Sequence, residues 1–216
     1  MIANFKDIDS TGGGGSKPVV VEALNVTANG SYTPKSGVDC FNPVNVNVPT
    51  TTKGFDVSQL RRTFVVNTSL DTFDKTGLDL SKCTGFSCSN TILKSLDIGG
   101  LDTRNLTYFS LKKQYNTLAI TDLDISGLDL SGVTNLDLGR LIFLVNIKSD
   151  GLQLPDIDMS EIGLNEAPLT VDSIVGLLNA LPTSTNNYSF RIGRTNIGKL
   201  SDDQKAIAIN KGWTLI

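Results

Sequence analysis

Leu123-Asp124-Ile125-Ser126-Gly127-Leu128-Asp129-Leu130 decides the reading of this 216-residue chain, because the pattern recurs. Upstream stand Phe73-Asp74-Lys75-Thr76-Gly77-Leu78-Asp79-Leu80 and Leu96-Asp97-Ile98-Gly99-Gly100-Leu101-Asp102-Thr103. A weaker copy, Ile147-Lys148-Ser149-Asp150-Gly151-Leu152-Gln153-Leu154, follows downstream. The aligned glycines at 77, 100, 127 and 151 are spaced by 23, 27 and 24 residues. Beyond the glycine three copies stay in phase: Cys83-Thr84-x-Phe86-x-Cys88, Leu106-Thr107-x-Phe109-x-Leu111 and Val133-Thr134-x-Leu136-x-Leu138.

That period lies within the roughly 20–29 residues of leucine-rich repeats. Within each copy the apolar residues flanking an Asp, such as Leu123 and Ile125 around Asp124, fall on one face of a short strand, and the Asp faces solvent. A single copy cannot bury that apolar face, so neighbours must stack and share a core. The aligned glycine marks a turn that needs a positive φ or a close backbone approach. The expected fold is an α/β solenoid, mainly β: short leucine-rich-repeat-like parallel coils with an N-terminal β module and an α/β C-terminal cap.

The solenoid is expected over residues 53–168. Residues 1–16 end in Gly12-Gly13-Gly14-Gly15-Ser16 and read as a flexible arm. A phosphate-binding loop would need Lys and then Ser or Thr after the last glycine, but Ser16 precedes Lys17 and Pro18 follows. Residues 17–52 read as a small β module. There Val19–Val26, the Asn29-Gly30 dipeptide and Ser31-Tyr32-Thr33 predict a hairpin, and Val44–Val48 alternates as a half-buried strand, with Pro34, Pro43 and Pro49 bounding or edging the strands. In the cap, 169–216, a helix is expected over Val171–Leu181 after Thr170, then a strand around Tyr188–Ile192. A second helix follows the capping box Ser201-Asp202-Asp203-Gln204, closed by Lys211-Gly212 before Trp213–Ile216.

Composition narrows the function. The net charge of −3 argues against nucleic acid or an anionic membrane as partner. Neither a signal peptide nor a run of about 18 apolar residues is read in the chain. It has no histidine, which excludes Ser-His-Asp and Cys-His catalysis. Cys40, Cys83 and Cys88 fit no self-contained disulfide set; Cys83 and Cys88 align with Val133 and Leu138 and read as core residues rather than a metal or redox pair. The aligned Thr84, Thr107 and Thr134 are expected to form a hydroxyl ladder inside the stack.

The repeats quoted above resemble BspA-like leucine-rich repeats of bacterial surface proteins, which read roughly LDLSxFDTSNVTxM. Here a glycine precedes the second apolar position, and the aromatic-cysteine segment is missing. The tail from Leu169 through Leu-Ser-Asp-Asp-Gln-Lys-Ala-Ile-Ala-Ile-Asn-Lys-Gly-Trp-Thr-Leu-Ile is similar to a C-terminal element of repeat proteins of bacteriophages and gut bacteria. Leu-Asn-Val-Thr-Ala-Asn-Gly-Ser-Tyr-Thr-Pro (24–34), with Val44–Pro49, is similar to a β module of phage tail and fibre proteins. The combined resemblance implies a phage virion protein, a head or tail fibre or a decoration, assembled in the host cytoplasm. It implies an N-terminal arm bound to other virion proteins, a solenoid presented outward to a host-surface glycan or protein, and a homodimer or homotrimer. No enzyme activity, cofactor or metal is expected.

Two alternatives stand beside it. One is a bacterial cell-surface adhesin. The other is a carbohydrate-active depolymerase, which needs only two carboxylates; its candidates are the rows Asp74, Asp97, Asp124 and Asp79, Asp102, Asp129. Those rows repeat in every copy, as solvated strand positions do, whereas a catalytic pair occurs once. The same rows could attract a divalent cation. For a binding protein, the candidate exposed strand face is Asp74, Asp97, Asp124 and Lys148.

Overall fold

The computed structural model describes residues 21–26, 40–45, 57–58, 60, 63–66, 72–88, 92–111 and 119–216. Among the described residues nine short strands precede the first helix: β1 (Val21–Val26), β2 (Cys40–Asn45), β3 (Thr63–Val66), β4 (Gly85–Cys88), β5 (Ser95–Asp97), β6 (Tyr108–Ser110), β7 (Asp122–Asp124), β8 (Asn135–Asp137) and β9 (Asn146–Lys148). Then come α1 (Val171–Ala180), β10 (Ser189–Phe190), α2 (Arg194–Ile197), α3 (Asp202–Ile209) and β11 (Thr214–Leu215). The described fold is therefore α/β and mainly β, with several short strands in sheets and few helices. Every strand pairing among the described residues is parallel.

From β4 to β9 the strands alternate between two sheets. One runs β1-β2-β3-β4-β6-β8 and the other β5-β7-β9. In the second, Leu96 pairs with Leu123, and Leu123 with Ile147. In the first, Phe64 pairs with Phe86, Phe86 with Phe109, and Phe109 with Leu136. Strands β5, β7 and β9 are three residues long, each placing one apolar side chain inward between polar neighbours. Leu96 and Leu123 are fully buried, and Ser95 and Asp97 are exposed. Burying a leucine of this kind contributes roughly 1.5–3 kcal/mol. The inward phenylalanines lie against one another: the Phe86 and Phe109 rings stack 5.5 Å apart at 20°, and Phe64 and Phe86 lie 6.2 Å apart, tilted by 58°. Leucines from the intervening turns, among them Leu80, Leu106, Leu128 and Leu130, complete one continuous core.

The turns need glycine. Gly100 and Gly127 hold φ of +74° and +68°, in the left-handed region that crowds any Cβ. The N–H of Gly100 donates to Ser126 O and that of Gly127 to Asp150 O, both at 2.8 Å, so each turn rests on the next.

Beyond β9 the ladder is stopped by a side chain. The Ser173 hydroxyl of α1 accepts from the N–H of Ile147 at 2.8 Å and reaches the Val145 carbonyl at 3.4 Å, where another strand would otherwise bond. Thr170 caps α1, and Ile174, Leu177 and Leu178 bury its inner face. β10 pairs with β11 and bridges to Met159. The Lys211 ammonium donates to the carbonyls of Leu178, Asn179 and Leu181 at 2.7–3.1 Å, satisfying the end of α1, and Trp213 Nε1 donates to Pro182 O. The capping box of Ser201 and Gln204 opens α3 as expected.

Of the two places expected for Pro43, bounding or edging a strand, it takes the second: it lies within β2, and β2 pairs with β3 only at Cys40 and Phe41, which leaves one side of position 43 without a ladder. β2 and β3 pair across residue 52 in one sheet. The Asn29-Gly30 turn with Ser31–Thr33, the strand residues Val46–Val48 and the glycine-rich arm lie outside the described residues. Thr84, Thr107 and Thr134 do form a ladder, Thr107 Oγ1 donating to Thr84 O and Thr134 Oγ1 to Thr107 O at 3.2 Å. It runs along the exposed surface rather than inside, because the polar turn residues face outward.

Candidate binding face

The chemistry of the aspartate rows follows from where each carboxylate points. Asp74 Oδ1 accepts from the N–H of Thr76 at 2.9 Å, Asp97 from Gly99 and Asp124 from Ser126 at 3.1 Å. The second row does the same: Asp79 with Ser81 at 2.9 Å, Asp102 with Arg104 at 3.3 Å, Asp129 with Ser131 at 3.0 Å. Asp137 holds Gly139 at 2.8 Å. Each Asp therefore turns back onto the backbone two residues on and starts the next corner, the arrangement of an Asx turn. In the sequence this role shows as an Asp two residues before a Ser, Thr, Gly or Arg at each corner, a signal that the strand-face reading passed over.

The register brings Asp97, Asp124 and Lys148 side by side across β5, β7 and β9. Lys148 Nζ lies 3.3 Å from Asp124 Oδ2. Asp97 is paired from the other side by Lys75, whose Nζ is 2.6 Å from Asp97 Oδ1 and 2.7 Å from Gly99 O. Lys75 was not singled out from the sequence, although it directly follows Asp74. Asp74 is half-buried and belongs to the preceding corner. Beside this row, Asp122 accepts from Asn146 Nδ2 at 2.8 Å and from Thr121 Oγ1 at 2.6 Å. The face carries alternating charge, and its carboxylates are occupied by partners within the chain.

Titration follows the same contacts. Burial alone would raise the Asp124 carboxyl, but the Ser126 hydroxyl and N–H together with Lys148 outweigh it and hold Asp124 below the usual carboxylate range. Ser81 lowers Asp79, Arg104 lowers Asp102, and Thr121 with Asn146 lowers Asp122. Burial pushes the Cys83 thiol up to about 12; its Sγ lies 3.4 Å from Leu60 O, and both Cys83 and Cys88 are fully buried and unbridged. These two are packed as small apolar side chains.

Among the described residues no three Asp, Glu, Cys or His side chains come together as a metal site. An open depression of about 480 Å³ is lined by Thr72, Phe73, Ile92, Lys94 and Ser95, which include no carboxylate. No described helix is long and apolar enough to cross a membrane. No protein-family model, curated protein or solved structure matches the chain.

Proposed function

We propose that the chain is a non-enzymatic, virion-type structural protein, a head or tail fibre or a decoration, in which a leucine-rich-repeat solenoid is held outward for binding. On this reading residues 1–16 are an arm docked on other virion proteins, 17–52 a β module, 53–168 the solenoid and 169–216 its cap, in a homodimer or homotrimer. The observation that carries it is the register: Leu96, Leu123 and Ile147 in one sheet, and Phe64, Phe86, Phe109 and Leu136 in the other, stand in parallel rows. Parallel three-residue strands joined by glycine corners make an elongated scaffold whose outer surface is its product.

The carboxylates argue for presentation over catalysis. A glycosidase needs one carboxyl kept protonated near neutral pH beside an ionised one. Asp79, Asp102, Asp122, Asp124 and Asp158 are all displaced downward, each by hydrogen bonds to its own corner or neighbours. Immunogold labelling and peptide mass spectrometry of purified particles test the proposal. Stoichiometric presence on the particle supports it; absence from particles, or hydrolysis of a polysaccharide by the purified chain, overturns it.

A further inference from the structure

The last glycine corner of the β5-β7-β9 stack differs from the two before it on both sides of one peptide bond. At Gly100 and Gly127 the N–H is taken by the next corner, donating to Ser126 O and to Asp150 O at 2.8 Å. Gly151 holds the same left-handed backbone, φ +71°, and its turn is closed by the Leu152 N–H on Ser149 O at 3.0 Å. No strand of that sheet follows β9, and α1 takes the place: Gly176 comes so close to the Ser149 hydroxyl that a Cβ would not fit between them. The Gly151 N–H is therefore left at an exposed position with no acceptor among the described residues.

The residue ahead of the glycine differs as well. Thr76, Gly99 and Ser126 stand there in the other copies, and Asp150 stands here, in the only Asp-Gly pair of the chain. Asp74, Asp97 and Asp124 each hold the N–H two residues on. The N–H two residues beyond Asp150 is that of Leu152, already bonded to Ser149 O. The Asp150 carboxyl is exposed and makes no hydrogen bond or ion pair among the described residues. An unengaged carboxyl thus sits directly before an unengaged amide whose residue has no Cβ to hinder approach, in an exposed turn of the kind that opens at small cost.

We propose that Asp150-Gly151 is a self-modification site, at which the chain passes from an aspartyl to an isoaspartyl linkage. The Gly151 nitrogen bonds to Asp150 Cγ, and the hydroxyl of the protonated carboxyl leaves as water with the amide proton, closing a five-membered succinimide. Water then opens the ring. Cleavage of the bond from nitrogen to Cγ restores Asp150; cleavage of the bond from nitrogen to the Asp150 carbonyl carbon leaves the main chain running through Cβ and Cγ, with a carboxylate on Cα. Nothing is oxidised or reduced, and water is the only co-reactant. The product corner is one methylene longer, and the Asp150 carbonyl that receives the Gly127 N–H has become part of that carboxylate. The joint between the repeats and α1 loosens as the product accumulates.

The test ages the full chain in warm neutral buffer, folded and in urea, and maps isoaspartate by peptide mass spectrometry with electron-transfer fragmentation. Isoaspartate is expected at 150 in the folded chain, at a rate within about threefold of that in urea. Ser126→Asp supplies the comparison. It builds the same Asp-Gly pair at a corner whose carbonyl likewise accepts from the corner before, but whose glycine N–H is engaged. There folding is expected to slow the reaction at least tenfold. Aged wild type is expected to acquire a population melting about 2–4 °C lower, and aged Asp150→Glu, whose longer side chain closes the ring poorly, is not. Absence of isoaspartate at 150 overturns the proposal, as does tenfold protection of 150 by folding. Equal protection at 126 and 150 overturns the role of the open amide; should Ser126→Asp fail to fold, the wild-type comparison decides. Aged wild type and aged Asp150→Glu that melt alike overturn the loosening.

Discussion

Gly127 and Gly163 both hold positive φ, +68° and +88°, yet alanine in their place meets different surroundings. A Cβ at position 127 would come no nearer than 3.8 Å to the Gly100 Cα, an ordinary contact, so only backbone strain is added. That strain is about 1–2 kcal/mol, offset by about 0.4–1 kcal/mol from the stiffer unfolded chain, for a net loss of about 1 kcal/mol. At position 163 the same Cβ would fall on the Gly139 backbone, which cannot move without shifting the corner around Arg140. Strain and clash together should exceed about 3 kcal/mol, in line with severe overpacking. Gly132 is the control: its φ is not positive, and a Cβ there would lie 3.5 Å from Leu106 O, so Gly132→Ala should be neutral or slightly stabilising. Thermal melts by circular dichroism read these as a fall of about 2–4 °C for Gly127→Ala, roughly three times that for Gly163→Ala, and none for Gly132→Ala. Equal losses at 127 and 163, or a Gly127→Ala that matches wild type, would refute the idea that the corners are held by left-handed glycines closely stacked on one another.

Ser173→Ala removes the acceptor of the buried Ile147 N–H and should destabilise by about 1–3 kcal/mol, with faster hydrogen exchange at Ile147; unchanged exchange there would count against the hydroxyl as the ladder's stop. Asp124→Asn keeps the corner acceptor and loses only a partly exposed pair with Lys148, so it should cost under about 1 kcal/mol, whereas Asp124→Ala, which loses the corner bond too, should cost more in urea titrations. Asp79, Asp102, Asp122, Asp124 and Asp158 titrate below their ordinary 3.8 in the fold, so the unfolded chain binds more protons in that range. Their stabilisation is present above the unfolded pKa and is lost as pH falls through the folded values, and melting temperature should hold from pH 7 to about 5 and decline below about 4; a rise on acidification would contradict the Asx-turn role. Cys83, buried and pushed up to about 12, should react with a thiol reagent only at the rate of unfolding, in contrast to an exposed free thiol.

The parallel rows were legible because period two around Asp97 and Asp124 puts Leu96, Ile98, Leu123 and Ile125 inside, and the spacing of the glycines carries that phase from one copy to the next. Helix α1 and the capping box of α3 were legible from Thr170 and from Ser201 with Gln204, whose side chains act within three residues. What depends on long-range geometry was not. Whether Pro43 bounds a strand or edges one depends on which side of it pairs, and sequence does not say where the pairing of β2 with β3 stops. The aspartates read as a solvent-facing row, and Asp97 and Asp79 are exposed, but the bond of each to its own corner is not visible in the pattern. Local hydrogen bonding and solvent exposure leave the same alternating pattern, so only the 2.9–3.1 Å contacts of Asp74, Asp97 and Asp124 separate them. Lys75 and Ser173 bond to partners 22 to 28 residues away, beyond the reach of any local motif.

The hydroxyl that ends the ladder has a place in time as well as in space. A ribosome completes β9 before it has made Ser173, some 26 residues later than Ile147. At about 5–20 residues per second, the Ile147 amide and Val145 carbonyl stay open for roughly 1–5 s of synthesis. During that interval the growing edge presents an unpaired amide and carbonyl, the groups through which neighbouring strands add.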